Sequence, residues 1–332
     1  MQADQISHDP LSAPKVSKAR TMTSERLFRD ALTSFQGGKF VDAERRFKQI
    51  LRHEPTHVAT LNLLSILLTH LKRFAEAEPY IKKAMELTPN SDATLYNYGI
   101  ILKSLNRPAE ALERFTHALS INPNLAETWN NRGTILNELK QYDEALADFD
   151  KATKLKPDYA EAFCNKGKSL AELGRYDDAL AAYQNALLLK PKLADASFGR
   201  ASVLFHLKSY DEALTACDKA LASRPNLTEA WLARGDILSA LRRSGDALTA
   251  YSTALTLKSD LVEAWLARGH ILVDLSRPVD ALAAYDKALS LNPELAVVWF
   301  GRGESLFVLQ RYEEAVASYE KALALKSDSF TE

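Results

Sequence analysis

Along most of this chain, large apolar, small and alanine positions return at one fixed spacing, the step from Ala126 to Ala160. Between Ala126 and Tyr159 they fall at Trp129, Gly133, Leu136, Tyr142, Ala145, Phe149, Ala152 and Pro157. One period forward stand Phe163, Gly167, Leu170, Tyr176, Ala179, Tyr183, Ala186 and Pro191. One period back stand Leu95, Gly99, Leu102, Pro108, Ala111, Phe115, Ala118 and Pro123. A strict period of this length predicts stacked helix–turn–helix units, each burying its apolar side against its neighbours. Nine units begin at Ser24, Val58, Asp92, Ala126, Ala160, Ala194, Thr228, Val262 and Ala296, and no insertion interrupts them. Proline closes seven of them, while Ser259 and Ser327 stand in its place in the other two. Proline cannot continue the preceding helix and suits the turn into the next.

Inside each unit three positions report on packing. The small position of the first helix reads Ala31, Ser65, Gly99, Gly133, Gly167, Ala201, Gly235, Gly269 and Gly303. Glycine in a helix interior costs about 1 kcal/mol against alanine, so its recurrence implies that the second helix crosses too closely for a side chain. The facing position is alanine in all nine units, from Ala43 to Ala315. Just before each alanine stands an acid, such as Asp42, Glu76, Glu110, Glu144 and Asp178. An acid in a first turn is favoured by the helix dipole, which makes these carboxylates expected helix caps and not catalytic pairs. The sixth unit departs most: Ser197 replaces the large aromatic, with Phe198 beside it, so local repacking is expected there.

The order large-apolar, small, alanine, aromatic, alanine, proline resembles the tetratricopeptide (TPR) repeat, and the resemblance covers residues 24–329. It implies an all-α fold, a right-handed superhelical solenoid of nine helix–turn–helix repeats of about 34 residues each. Residues 1–23, with few apolar residues and two prolines, are expected to be a disordered tail. Residues 330–332 would end the chain without a capping helix, leaving Tyr319, Leu323 and Leu325 with no successor to pack on. That end is a candidate for self-association or domain docking.

Charge narrows the partner classes. The 42 basic groups face 43 acidic ones for a net charge of −1, with no overall basic stripe of the kind nucleic-acid binding needs. No apolar run approaches membrane-span length, and the N-terminus lacks a signal-peptide core. Two cysteines, Cys164 and Cys217, argue against a disulfide framework and for a reducing compartment, so the cytoplasm is the expected location. Cys217 takes an aromatic's place and reads as a small buried apolar residue.

Two motifs suggest chemistry and lose it in context. His53-Glu54-Pro55-Thr56-His57 spells H-E-x-x-H, but Pro55 is the repeat's own terminating proline, and zinc binding needs both histidines on one continuous helix. Gly167-Lys168-Ser169 looks like the tail of a phosphate loop, yet Ala162 stands where its first glycine belongs and no strand precedes it. No nucleophile, metal or cofactor constellation is read. The chain by itself is not expected to be an enzyme.

By resemblance to the family, ligand contacts come from offsets 2, 5, 6, 9, 12 and 13 of each first helix, which line a concave groove. Those offsets form an amide-rich zone, with Asn97, Asn130, Asn131, Asn137, Asn165 and Lys168. They then form an apolar zone, with Phe198, Phe205, Leu232, Leu266, Phe300 and Phe307. Asn97, Asn131 and Asn165 share one offset and form a candidate ladder for the backbone of an extended peptide; exposed positions that simply tolerate asparagine are the other reading. The apolar zone is either a groove for a peptide or partner helix, or internal packing. A second, basic ladder comprises Arg132, Lys166, Arg200, Arg234, Arg268 and Arg302. Its stems are expected to pack between helices with the heads on helix-terminal acids; anion binding is the alternative.

Within the family, the clamp of co-chaperones that hold a heat-shock protein's C-terminal carboxylate has no matching basic set around Asn131. The array looks more like the N-terminal region of O-linked N-acetylglucosamine transferases and their bacterial SPINDLY-like relatives, which share the asparagine offset. Two functions therefore stand: a freestanding protein–protein interaction scaffold, or the substrate-recognition region of a glycosyltransferase whose catalytic domain lies outside this chain.

Overall fold

A computed structural model describes residues 15–328, with side chains from Ser24 to Lys326. Among these residues there are eighteen helices and no strand. They fall into two compact units, with the boundary between Lys156 and Pro157. The first holds α1 (Lys15–Gln36), α2 (Phe40–His53), α3 (Val58–His70), α4 (Phe74–Leu87), α5 (Asp92–Ser104), α6 (Pro108–Ile121), α7 (Ala126–Glu138) and α8 (Tyr142–Leu155). The second holds α9 (Ala160–Glu172), α10 (Tyr176–Leu189), α11 (Ala194–His206), α12 (Tyr210–Ser223), α13 (Thr228–Ala240) and α14 (Ser244–Leu257). It continues with α15 (Val262–Asp274), α16 (Pro278–Leu291), α17 (Ala296–Val308) and α18 (Tyr312–Asp328). Within each unit every helix packs on its successor, and in the second unit α9, α11, α13, α15 and α17 also touch one another in order. Those five helices line one face.

From Val58 onward, the odd-numbered helices share one length and begin one period apart. Each ends where the chain enters the left-handed region, at Lys72, Asn106, Lys140, Gly174, Lys208, Arg242, Ser276 and Gln310. The next amide then reaches back over the helix end, as from Arg73 N to the Leu68 carbonyl at 2.8 Å and from Arg107 N to Leu102 at 3.0 Å. This closure satisfies otherwise orphaned carbonyls and reverses the chain in a short turn. The tryptophans secure the opposite end. Trp129, Trp231, Trp265 and Trp299 each donate their indole N–H to a carbonyl in the preceding turn, at 2.8–2.9 Å. That carbonyl belongs to the closing proline or, for Trp265, to Ser259, which therefore keeps the turn without the proline ring.

The glycine positions are explained by a ring and not by a crossing backbone. A Cβ at Gly99, Gly133, Gly167, Gly235, Gly269 or Gly303 would come within 2.4–2.9 Å of the Phe or Tyr of the following helix. Where that partner is not a large ring, the small position carries a side chain: Ala201 corresponds to Cys217 and Ser65 to Ile81, and all four are buried. Ala31, whose counterpart is Phe47, is the exception. The facing alanines, Ala43 to Ala315, are 0–1% exposed and form the second half of the close approach. Ser197 is buried too, and Phe198 packs partly into the core around Ala201, Leu204 and Cys217.

Two expectations are corrected by the structure, and a third gains a detail. Helix α1 starts at Lys15, so residues 15–23 of the expected tail are helical; Pro10 and Pro14 both lie before Lys15, and no later proline interrupts the helix. Residues 1–14, like 329–332, lie outside the described part. Six of the nine first-turn acids, expected as helix caps, turn instead to the arginine just before their helix. The pairs are Arg73–Glu76, Arg107–Glu110, Arg175–Asp178, Arg243–Asp246, Arg277–Asp280 and Arg311–Glu314, because an arginine fork outcompetes a single amide for a carboxylate. Finally, the H-E-x-x-H segment is the turn between α2 and α3, as expected, but His57 has a task there: its Nδ1 accepts from the Thr60 amide at 3.2 Å and caps α3.

This packing makes two predictions. Gly235→Ala forces a methyl into the Tyr251 ring and should destabilise the chain by about 1–3 kcal/mol. Tyr251→Cys, copying the Ala201–Cys217 pair, should cost at least about 1 kcal/mol less in the Gly235→Ala background than alone, as read by a denaturant double-mutant cycle; additive costs would refute the ring account. Secondly, the arginine forks hold Glu76, Glu110 and Glu314 below the usual carboxylate range. Carboxyls depressed on folding add stability that is fully present above the unfolded value of about 4.3 and is lost as the pH falls through the lower folded value. Thermal midpoints should drop between pH 5 and pH 3, and the triple change to Gln should flatten that drop.

Candidate partner-binding groove

In the second unit the odd-numbered helices enclose a groove of about 820 Å³ between α9 and α11, reaching the start of α13. Its floor is Tyr183, delivered from α10 beneath the row. A Cβ at Gly199 would lie 2.4 Å from that ring and 2.6 Å from its hydroxyl, so the missing side chain is what lets the tyrosine rise to the floor. Phe198, Val203 and Leu227 supply apolar wall, and Asn165, Lys168, Glu172, Ser202, His206, Asp195 and Glu229 supply the polar lining. Tyr176 stacks at a tilt on His206, ring centroids 4.9 Å apart, and closes one end. Asp195 accepts from both terminal nitrogens of Arg224 at 2.9 Å, which fixes one carboxylate of the rim. Cys164 also lines the groove, but burial pushes its thiol up to about 12, so at neutral pH it is apolar lining and not a nucleophile.

The candidate residues from the sequence divide sharply. Asn165, Lys168 and Phe198 come together in this groove. Phe205, Phe300 and Phe307 are exposed on the same row, Phe205 against Tyr210 and Phe307 against Tyr312. Leu232 and Leu266 instead pack onto the cores around Tyr251 and Tyr285, because the repeat angles offset 5 inward where the next helix offers apolar surface. The apolar zone is thus half packing and half open surface.

In the first unit, Asn131 Nδ2 donates to the Tyr96 hydroxyl at 3.3 Å, linking α7 to α5. Asn97 and Asn137 are half-buried, and Lys103 has its ammonium pushed down by burial, with Glu138 opposing. Asn130 is 7% exposed and so belongs to the interior, not to an accessible surface: one residue before the ladder offset, it turns about 100° away from the groove side. Asn165 lies in the other unit.

The basic ladder is structural at most of its rungs. The guanidiniums of Arg132, Arg234, Arg268 and Arg302 lie 4.7–5.7 Å from the ring centres of Trp129, Trp231, Trp265 and Trp299. Arg200 reaches the helix-terminal Glu212 at 3.9 Å, as expected, but three of these stacked heads meet mid-helix acids: Asp148 for Arg132, Asp218 for Arg234 and Asp286 for Arg302, all at 2.7–2.8 Å. The reason is geometric, since an arginine lying across a tryptophan reaches the middle of the adjacent even-numbered helix. Burial still pushes the Asp148 carboxyl up despite the Arg132 fork. Arg268 has Ser252 and Ala284 at the two corresponding places, and its Nε is buried without a hydrogen-bond partner.

Sequence reading missed Cys164, Tyr183, Gly199, Ser202 and His206 as groove residues. The available signal was the sixth unit's run of departures from the period, at Ser197, Gly199, Ala201 and Cys217. A second apolar hollow of about 770 Å³ lies against the last helix pair, lined by Val297, Phe300, Tyr319 and Leu323, with Leu323 68% exposed. Among the described residues no group of side chains could hold a metal ion, and no helix is long and apolar enough to cross a membrane.

Models of the tetratricopeptide repeat match residues 56–124, 126–159, 164–228, 232–296 and 266–330. No curated protein matches the chain. Among solved structures, a chain of the APC/C hetero-tetramer Cut9–Hcn1 is similar with a TM-score of 0.64 and 17% identity, over 84% of this chain and 55% of that one. This chain therefore spans about half the length of that relative. PilF of Pseudomonas aeruginosa gives a TM-score of 0.56 at 19% identity, over 62% of this chain and 94% of the other. A tetratricopeptide repeat protein from Parabacteroides merdae gives 0.50 at 20%, over 86% and 99%. At such identities the likeness is one of fold.

Proposed function

The chain belongs to the tetratricopeptide repeat family, whose stacked helix pairs generally mediate protein–protein interaction, and we propose that it is an interaction scaffold whose groove between α9 and α11 holds an extended segment of a partner protein. The observation that carries this reading is the groove itself, about 820 Å³, apolar at its floor and polar along its rim. Such a combination suits an extended chain: the floor takes a side chain, and the rim amide and hydroxyl of Asn165 and Ser202 serve the backbone. The scaffold works in a reducing compartment such as the cytoplasm, consistent with the free thiols of Cys164 and Cys217. It does no chemistry of its own.

A second reading, the substrate-recognition region of a glycosyltransferase, draws on the shared offset of Asn97, Asn131 and Asn165. It uses the same kind of binding and differs in what the bound protein is presented to.

A photo-crosslinking amino acid placed at Ser202, in the groove, or at Lys219, exposed on α12, separates specific from incidental contact in the native cells. One discrete protein adduct is expected from the groove position and none from α12. Gly199 is left unchanged in both, because any side chain there would strike Tyr183. Equal adducts from the two positions would overturn the groove as the binding site.

A further inference from the structure

The groove-facing offsets of the second unit carry a charge that the chain as a whole does not. At offset 2 stand Glu161, Asp195, Glu229 and Glu263, all exposed. At offset 9 stand Asp236 and Glu304, and at offset 13 Glu172 and Asp274. Against them the same offsets hold one lysine, Lys168, and two histidines, His206 and His270, in a chain whose net charge is only −1. The balancing cations sit elsewhere, many of them on the even-numbered helices and the turns after them. From there Lys190 reaches Glu161 at 2.8 Å and Arg224 reaches Asp195 at 2.9 Å, neutralising part of the row. Asp236 accepts from the Tyr251 hydroxyl at 2.7 Å, a neutral donor that orients the carboxylate without cancelling its charge.

Between these acids lie open apolar places: the floor over Gly199 and Tyr183, and the exposed rings of Phe205, Phe300 and Phe307. A row of like charges beside apolar surface costs self-repulsion unless an opposite charge covers it. On the reading that this face binds an extended segment, we infer that its ligand is a basic peptide, with Lys or Arg side chains alternating with apolar ones. Alternation follows from the extended backbone, which sends successive side chains to opposite sides. The apolar residue enters over Gly199, and its basic neighbours lie along the rim acids.

Three fluorescein-labelled nonapeptides of equal length test this, with Leu alternating with Lys, Gln or Glu, titrated into the full chain and read by anisotropy. The Lys peptide is expected to bind at least tenfold more tightly than the Gln peptide, and the Glu peptide least. Its affinity should fall at least fivefold from 50 to 300 mM salt, as screening demands. Glu172→Gln with Glu229→Gln should weaken it at least threefold, whereas Asp211→Asn with Glu313→Gln, exposed on even-numbered helices, should not. Ser202→Trp, which fills the groove without adding charge, should abolish it while leaving the helical content and melting unchanged. If the Gln or Glu peptide binds as tightly as the Lys peptide and Ser202→Trp still abolishes binding, the basic class is wrong and the groove stands. If no peptide binds, or Ser202→Trp changes nothing, the inference falls together with the groove.

Discussion

The repeat depends on one contact, the edge of an aromatic ring laid on a helix position that has no side chain. Gly235 and Tyr251 show it tightly, with 2.4 Å between the ring and the place a Cβ would occupy. The glycine costs about 1 kcal/mol of helix propensity, and the buried ring more than offsets it, since such rings fill the space between the two helices of a pair. Because the ring is rigid, it also fixes how closely and at what angle the pair can cross. The period survives without insertions for that reason: a shifted helix would bring a side chain where the ring must lie.

Charge is arranged on the same period but does a weaker and different task. The arginine forks at the start of the even-numbered helices are exposed and individually contribute little. They hold the tight turn between two helices in one geometry. The arginines stacked on tryptophans cover apolar ring surface with their stems and deliver their heads to mid-helix acids. The forks keep their cations in the turns, and the stacked arginines, though carried by odd-numbered helices, turn their heads to the even-numbered ones. In the second unit that leaves the offsets of the opposite face to acids.

The fold was legible because its determinants are periodic. Gly99, Ala111, Phe115 and Pro123 each recur, and a pattern carried through nine units cannot be mistaken for chance spacing. What could not be read were directions that depend on competition between partners. Glu76 could have capped an amide or met Arg73, and only the folded turn brings the guanidinium within 2.6 Å. Asn130 and Asn131 are neighbours in sequence, yet one is interior and the other reaches Tyr96. Leu232 and Phe300 share one repeat offset, yet the neighbouring helix lets the first pack while the second stays exposed.

The groove arises where the period is broken. In the sixth repeat, Ser197 stands for the large aromatic, Gly199 for the asparagine of the preceding repeat, Ala201 for the glycine and Cys217 for the ring. Ala201 and Cys217 compensate each other in volume, so the pair still closes and both are fully buried. Ser197 is too small to fill an aromatic's place, and Phe198 packs into the same core from the next position. Gly199 lies at an offset that faces the ring of the repeat before: it touches Tyr183, as Gly301 at the same offset touches Tyr285. A side chain there would press on Tyr183 and fill the floor. The substitutions that keep the sixth repeat folded are therefore separable from the one that keeps the groove open, which is the distribution expected when a repeat carries a binding site as well as its share of the core.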